Sequence, residues 1–191
     1  LVGAHDDHLG TGGKASGSLR PDTMAFHPGA DDNASGVSAA MEAARLLKES
    51  TTRKRLKKDI IFAAFGAEEK GTIGSAMLAD TLEKMGSLPS LMINLDMVGR
   101  LRDSVLQLGG TGTFQSADSL IDAQLDPTLP LVLKKSESGY GPSDHHVFYR
   151  SQVPVLFFST PPHQDYHTPF DTPDKINYPG MAAIVTCVTD V

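Results

Sequence analysis

The chain has 191 residues, of which 40% are hydrophobic and 21% charged, enough for one substantial core and ordinary for a globular domain. A formal net charge of −6 leaves no basic stripe to meet phosphates, which argues against broad nucleic-acid binding. No apolar run approaches the ~20 residues needed to span a membrane, and a single cysteine, Cys187, excludes an intrachain disulfide or a thiolate metal cage.

Residues 1–4 read as the end of a strand. The chain opens on Leu1 rather than Met, which reads as a processed or trimmed segment and says little about compartment. Residues 10–17 form a glycine-rich loop. Residues 34–47 are helical, with Val37, Met41, Ala44 and Leu47 at helical spacing and Asn33 or Ser35 available as the cap. The basic cluster Arg53-Lys54-Arg55-Leu56-Lys57-Lys58 reads as a solvated gatekeeper before an apolar run. That run, residues 59–65, has the composition of a buried strand. Residues 75–82 form a short helix, 86–90 a turn, 91–95 and 105–108 strands, and 114–125 a helix. Residues 153–159 are another buried strand and 180–191 a final helix, which makes Cys187 a buried structural thiol. The alternation predicts one α/β domain with a largely parallel sheet covered on both faces.

Five segments carry acidic or imidazole groups among small residues: Gly3-Ala4-His5-Asp6-Asp7, Gly29-Ala30-Asp31-Asp32-Asn33-Ala34-Ser35-Gly36, Gly66-Ala67-Glu68-Glu69, Asn94-Leu95-Asp96-Met97 and Asp165-Tyr166-His167-Thr168. In open α/β sheets, sites form beyond the carboxyl ends of the strands. His5, Glu68-Glu69 and Asp96 each follow a predicted strand, and Asp31 precedes a helix. Two imidazoles, several carboxylates and a surplus adjacent Glu are the inventory of a two-metal hydrolase. Two divalent cations would offset four of the negative charges.

In order along almost the whole chain, Gly-Ala-His-Asp-Asp-His, Gly-Ala-Asp-Asp-Asn-Ala-Ser-Gly, Ala-Glu-Glu-Lys-Gly, Asn-Leu-Asp-Met-Val-Gly and Tyr-His-Thr-Pro-Phe-Asp-Thr-Pro-Asp-Lys-Ile-Asn resemble the co-catalytic di-zinc aminopeptidases, of the bacterial secreted leucyl aminopeptidase and aminopeptidase Y type. The resemblance implies a three-layer α-β-α zinc-exopeptidase domain with a mostly parallel mixed sheet. It implies two zinc ions: Asp31 bridges both, His5 and Asp96 complete one ligand set, and Glu69 and His167 the other. It makes Glu68 the general base, acting on a metal-bridging hydroxide. Asp7 becomes the carboxylate that orients the His5 imidazole. Tyr140 becomes the phenol that stabilises the oxyanion. A cis peptide is expected between Asp31 and Asp32. His8, His27, His145, His146 and His163 read as surface or supporting residues, with His163 the foremost to line a pocket. Asp144 reads as orienting a loop, Asp171 and Asp174 as setting turns, and Phe157 and Phe158 as core. Met97 fits a pocket or the core equally.

The implied activity is hydrolysis of the N-terminal peptide bond of peptides with a free N-terminus, at an extracellular or periplasmic address. Two departures stand out. The family often has Tyr where this chain has Asp6, and the strands and helix that precede the first motif in similar domains are absent, as is the end of the last helix. The alternatives are a carboxypeptidase or dipeptidase, for which only Arg100 could meet a substrate carboxylate, a one-metal glutaminyl cyclase, or a non-catalytic binding ectodomain.

Overall fold

The computed structural model describes residues 1–51 and 58–191. The predicted basic cluster lies outside them apart from Lys58. Six strands form one sheet: β1 (Val2–His5), β2 (Phe62–Phe65), β3 (Met92–Leu95), β4 (Val105–Gly109), β5 (Val132–Ser136) and β6 (Val155–Ser159). Their order is β2-β1-β3-β6-β4-β5. Neighbouring strands are parallel except β4 on β6, which is antiparallel with Leu108 opposite Phe158. The helices are α1 (Gly36–Thr51), α2 (Ile73–Lys84), α3 (Ala117–Gln124), α4 (His145–Arg150) and α5 (Tyr178–Asp190).

Side-chain alternation along each strand feeds two cores. Ile93, Leu95, Leu156 and Phe158 join the face covered by Ala39 and Ala43 of α1, Ile121 of α3 and Ile184 of α5. Phe65, Met92 and Val155 join the opposite face, with Ala79 and Leu82 of α2 and Phe148 of α4. The three-layer architecture follows, each fully buried Leu, Ile or Phe contributing about 1.5–3 kcal/mol. Cys187 is buried in the first face, and burial pushes its thiol up to about 12.

Several local expectations change. Helix α1 is present, yet its buried stripe is Ala39, Ala40 and Ala43, while Met41 is 70% exposed; alanines let this helix lie close on the sheet. Strand β2 is an edge strand, not a buried one, with Ile61 and Phe62 partly exposed. Strand β5 and helix α4 were not anticipated: β5 alternates half-buried and exposed positions along Val-Leu-Lys-Lys-Ser, and α4 spans only six residues. Helix α5 starts two residues before the predicted 180, because Asn177 caps it by accepting the Gly180 N–H at 3.0 Å.

Register places the site. His5 pairs with Phe65 at the ends of β1 and β2, and Gly3 pairs with Asn94, two residues before Asp96. The carboxyl ends of three adjacent strands thus open on one rim.

Candidate metal centre and adjoining cleft

The turn Ala30–Ser35 gives its two aspartates different partners. Asp31 is wholly buried. Its Oδ1 accepts the Gly99 N–H at 2.6 Å and the Ser35 hydroxyl at 3.1 Å, and its Oδ2 lies 3.0 Å from His163 Nε2. A Cβ on Gly99 would stand 2.8 Å from Ser35 Cβ, so only glycine lets the chain after β3 come this close. Asp31 is a tie between two loops, and the structure does not place it between two ligand sets. Asp32 stands there instead and lines the cleft. The cis peptide is correspondingly one bond later than expected, between Asp32 and Asn33.

The turn is held from several sides. Asp171 Oδ2 accepts the N–H groups of both Asp31 and Asp32, at 2.9 and 3.0 Å. Asn33 Oδ1 accepts from Gly36 and Met97, and its Nδ2 donates to the Leu95 carbonyl at 3.0 Å. Hydrogen bonds to charged groups contribute about 1.5–3 kcal/mol each, so the position of Asp32 is strongly over-determined.

Around Asp32 the remaining predicted ligands converge. His5 Nε2 is 3.2 Å from Asp32 Oδ1 and 3.5 Å from Asp96 Oδ1. His167 Nε2 is 3.0 Å from Asp32 Oδ2 and 3.3 Å from Glu69 Oε1. The two oxygens of one carboxylate therefore face two separate imidazole–carboxylate pairs. His5 Nδ1 donates to the Asp7 carbonyl at 3.1 Å, which leaves Nε2 turned to the carboxylates. Burial opposes charge on His5, but Asp32 and Asp96 outweigh it and raise the imidazole to about 12. His167, likewise opposed by burial, is raised to about 10 by Asp32 and Glu69. Asp32 is pulled well below the usual carboxylate range by His167 and His5 against its own burial. Ala67, Met97 and His167 all adopt positive φ, between 53° and 59°, a concentration of sparsely populated backbone that marks functional sites.

These residues fit divalent ions. Bonds of about 2.0–2.1 Å in a tetrahedral zinc site put neighbouring ligand atoms about 3.3 Å apart, and the separations here run from 3.0 to 3.5 Å. Three carboxylates crowd two imidazoles, a donor set that stabilises positive charge between them.

Asp7 acts differently from expectation. Its carboxylate is 3.8 Å from His5 Nδ1 and instead accepts the N–H groups of Glu68 at 2.8 Å and Glu69 at 3.2 Å, fixing the short turn after β2. Glu68 faces the cleft, and its carboxylate forms no hydrogen bond among the described residues. Burial raises it to about 8; Asp96, Asp144 and Glu69 add to the rise and His5 opposes it. Asp6, the departure from the resemblance, is exposed.

A cleft of about 330 Å³ adjoins these groups, walled by Met97, Phe157, Pro142 and Pro162, with Gln107, Ser159 and Thr160 as its polar lining. Phe158 is core, as expected, whereas Phe157 turns to the cleft. Tyr140 does not line it. It is 66% exposed, its ring packs edge-on against Tyr149 at 4.8 Å, and it borders a neighbouring hollow. The phenol in the cleft belongs to Tyr166, stacked on His167 at 3.8 Å. Burial, with Asp32 and Glu69 nearby, raises that phenol well above its ordinary value, so it stays protonated. Arg100 is engaged: Nη2 pairs with Asp165 at 2.9 Å and Nη1 lies 3.8 Å from Asp171. His163 supports Asp31 and does not line the cleft. Asp144 is fully buried and raised to about 6 by that burial.

A largely parallel sheet whose strand ends deliver imidazoles and carboxylates to one carboxylate hub defines an α/β domain with a candidate metal centre at its carboxyl edge. The chain matches Peptidase family M28 over residues 1–191 and belongs to that family. It is similar to aminopeptidase YwaD of Bacillus subtilis, 33% identical over 168 residues, covering 82% of this chain and 35% of that one. Its fold overlays that of a zinc aminopeptidase from Bacillus subtilis with a TM-score of 0.76 and 29% identity, covering 99% of this chain and 44% of that one. A glutaminyl cyclase from Porphyromonas gingivalis overlays with a TM-score of 0.73 at 20% identity, covering 99% of this chain and 70% of that chain, a likeness of fold alone. The chain spans between 35% and 63% of the length of the first curated relatives it matches. Among the described residues no helix is long and apolar enough to cross a membrane.

Proposed function

We propose that this chain is the catalytic domain of an aminopeptidase that removes an apolar residue from the free N-terminus of peptides, using two divalent ions, zinc foremost. The observation that carries this reading is the placement of Asp32, with Oδ1 toward His5 and Oδ2 toward His167. His5, Asp32 and Asp96 would hold one ion, and Asp32, Glu69 and His167 the other. When bound, the ions supply Lewis acidity, polarising the scissile carbonyl and lowering the pKa of water to around 7.

The chain's own residues supply the rest. Glu68, beside the ligands and outside both sets, takes a proton from the attacking water and delivers it to the leaving amine. Asp7 holds Glu68 in place through its backbone N–H. The substrate's α-amine meets the carboxylates on the Asp96 side. Its side chain enters the cleft between Met97 and Phe157, whose volume suits one residue and whose walls are apolar. Against a carboxypeptidase, Arg100 is already paired with Asp165 and offers no cation to a substrate carboxylate. Against a one-metal cyclase, Asp32, Glu69 and His167 stand close enough together to form a second set, which supports the two-ion reading. The names borne by relatives of the family support the same choice, and an extracellular or periplasmic address belongs to this reading.

Elemental analysis combined with hydrolysis of leucyl-p-nitroanilide tests it. About two zinc per chain with chelator-sensitive release is the expected result; one metal or none overturns the ligand assignment. Glu68→Ala should lower turnover at least about 10²–10⁴-fold while both metals stay bound. Near-normal turnover in that variant removes Glu68 from the reaction.

A further inference from the structure

One imidazole close to this centre stands outside the two sets proposed above, although it, Asp32 and Glu69 bring ligand atoms within 4.8 Å of one another. His8 lies three residues beyond His5, and its Nδ1 is 2.9 Å from Glu69 Oε1 but 3.9 Å from Asp32 Oδ2. A carboxylate oxygen can only accept, so Nδ1 carries the hydrogen and donates it. The ring is locked. Gly29, at φ 60°, lies so close that a Cβ there would be 2.7 Å from His8 Cγ and 2.8 Å from Cδ2, so any other residue would push the imidazole out of line. His167 packs edge-on to the same ring at 5.7 Å. The His8 side chain is only 10% exposed, and its Nε2 is buried without a hydrogen-bond partner. Among the described residues the one hydrogen bond of this buried ring is therefore to Glu69, with Asp32 Oδ2 further off at 3.9 Å.

We infer that His8 is a positioning residue for the second ion: by donating from Nδ1 to Glu69 Oε1 it holds that carboxylate in the orientation in which it ligates, together with His167 and Asp32. This rests on the two-ion reading above. Glu69 sits on a three-residue turn and is tethered through its backbone N–H to Asp7 Oδ2. That tether leaves its side-chain torsions free, and His8 at 2.9 Å, closer than His167 at 3.3 Å, fixes them. Partners of this kind, bonded to a ligating group, change metal affinity about 10–100-fold when removed. The effect should fall mainly on one ion, because the His8 hydrogen bond goes to Glu69 at 2.9 Å while the shared Asp32 is 3.9 Å away.

Two near-isosteric variants test the assignment, His8→Leu, which cannot donate, and His8→Asn, whose amide can donate from nearly the place of Nδ1. Both are titrated with zinc against a chromophoric chelator, and unfolding of the chelated proteins checks the fold. Two zinc equivalents are expected in the parent chain. His8→Leu should weaken one of them about 10–100-fold and leave the other nearly unchanged, and His8→Asn should restore most of the loss. Parent-like affinity for both equivalents in His8→Leu overturns the inference. So does an Asn variant as weak as the Leu variant, since the nitrogen then acts otherwise than as a donor. Should His8→Leu fail to fold, the Asn variant decides alone: a zinc affinity near that of the parent supports the donor, and a loss of tenfold or more overturns it. A parent chain that binds fewer than two zinc fails the two-ion reading itself, whatever the variants do.

Discussion

The two sides of Asp32 are built from different material. On one side, His5 is the last residue of a central strand and Asp96 directly follows another, so both are placed by the sheet's hydrogen-bond register. His5 is 1% exposed. On the other side, Glu69 comes from a three-residue turn and His167 from a loop at positive φ, with the His167 side chain 14% exposed. The strand side inherits its rigidity from the core. The loop side needs dedicated supports: Asp7 on the Glu69 backbone, and Arg100 and Lys175 on Asp165, two residues before His167. An ion held by the strand side is therefore expected to bind more tightly.

The largest effects should come from the hub. Asp32→Asn should weaken both zinc equivalents by more than the about 100-fold that removal of a supporting partner reaches, and abolish turnover. Asp31→Asn, one residue away, should keep both equivalents and lose about 1–3 kcal/mol of stability through its buried hydrogen bonds. The reverse pattern in metal analysis would restore the bridging role to Asp31. Next comes the contrast between the sides. Increasing chelator should remove one zinc before the other, and His167→Ala should abolish the weaker phase while preserving the tighter one. A single chelation phase in the parent chain would break the comparison.

The loop side's supports predict a loss of stability. Arg100 is largely buried against Asp165 and Asp171, and removing one partner of a buried ion pair typically costs about 3–5 kcal/mol. Arg100→Met should fall near the low end, about 3 kcal/mol, because Lys175 remains 3.0 Å from Asp165. Urea unfolding of the chelated proteins measures this. A loss under about 1 kcal/mol would place the pair among surface bridges that contribute little.

Much of this was open to the sequence for physical reasons, and some was not. Strand ends carrying His5, Glu68-Glu69 and Asp96 stand out because buried parallel strands are apolar runs and their ends are abrupt. The choice between Asp31 and Asp32 is not open in that way: both occupy the same string of small residues, and the decision lies in the turn's dihedrals and in the Gly99 N–H that claims Asp31. Arg100 reaches Asp165 and Asp171 across 65 residues or more of chain, a separation at which composition gives no signal. The buried face of α1 misled for a related reason. Periodicity favoured Met41, but the space beneath the helix admits alanine, so Met41 turned outward. Strand β5 carries two lysines along five residues and lacks the apolar run by which the central strands announce themselves.

A finer difference between the sides should appear with acid. His145, at the start of α4, is 1% exposed and stacked on Phe157 of the strand-side cleft wall at 4.2 Å. Burial pushes its imidazole down to about 4, and the charge of His146 adds to the fall. In the unfolded chain the same ring titrates near its ordinary value of 6.5. Between these values the unfolded state binds a proton that the folded state refuses, so stability is complete above pH 6.5 and falls as pH drops toward 4. At about 1.4 kcal/mol per pH unit, the interval amounts to on the order of 3 kcal/mol. His145→Phe keeps a ring against Phe157 and removes the titration. With chelator present in both proteins, the parent chain should lose stability more steeply than the variant between pH 6.5 and 4. Parallel curves would mean that the imidazole charges inside the fold and that the wall behind Phe157 opens to water.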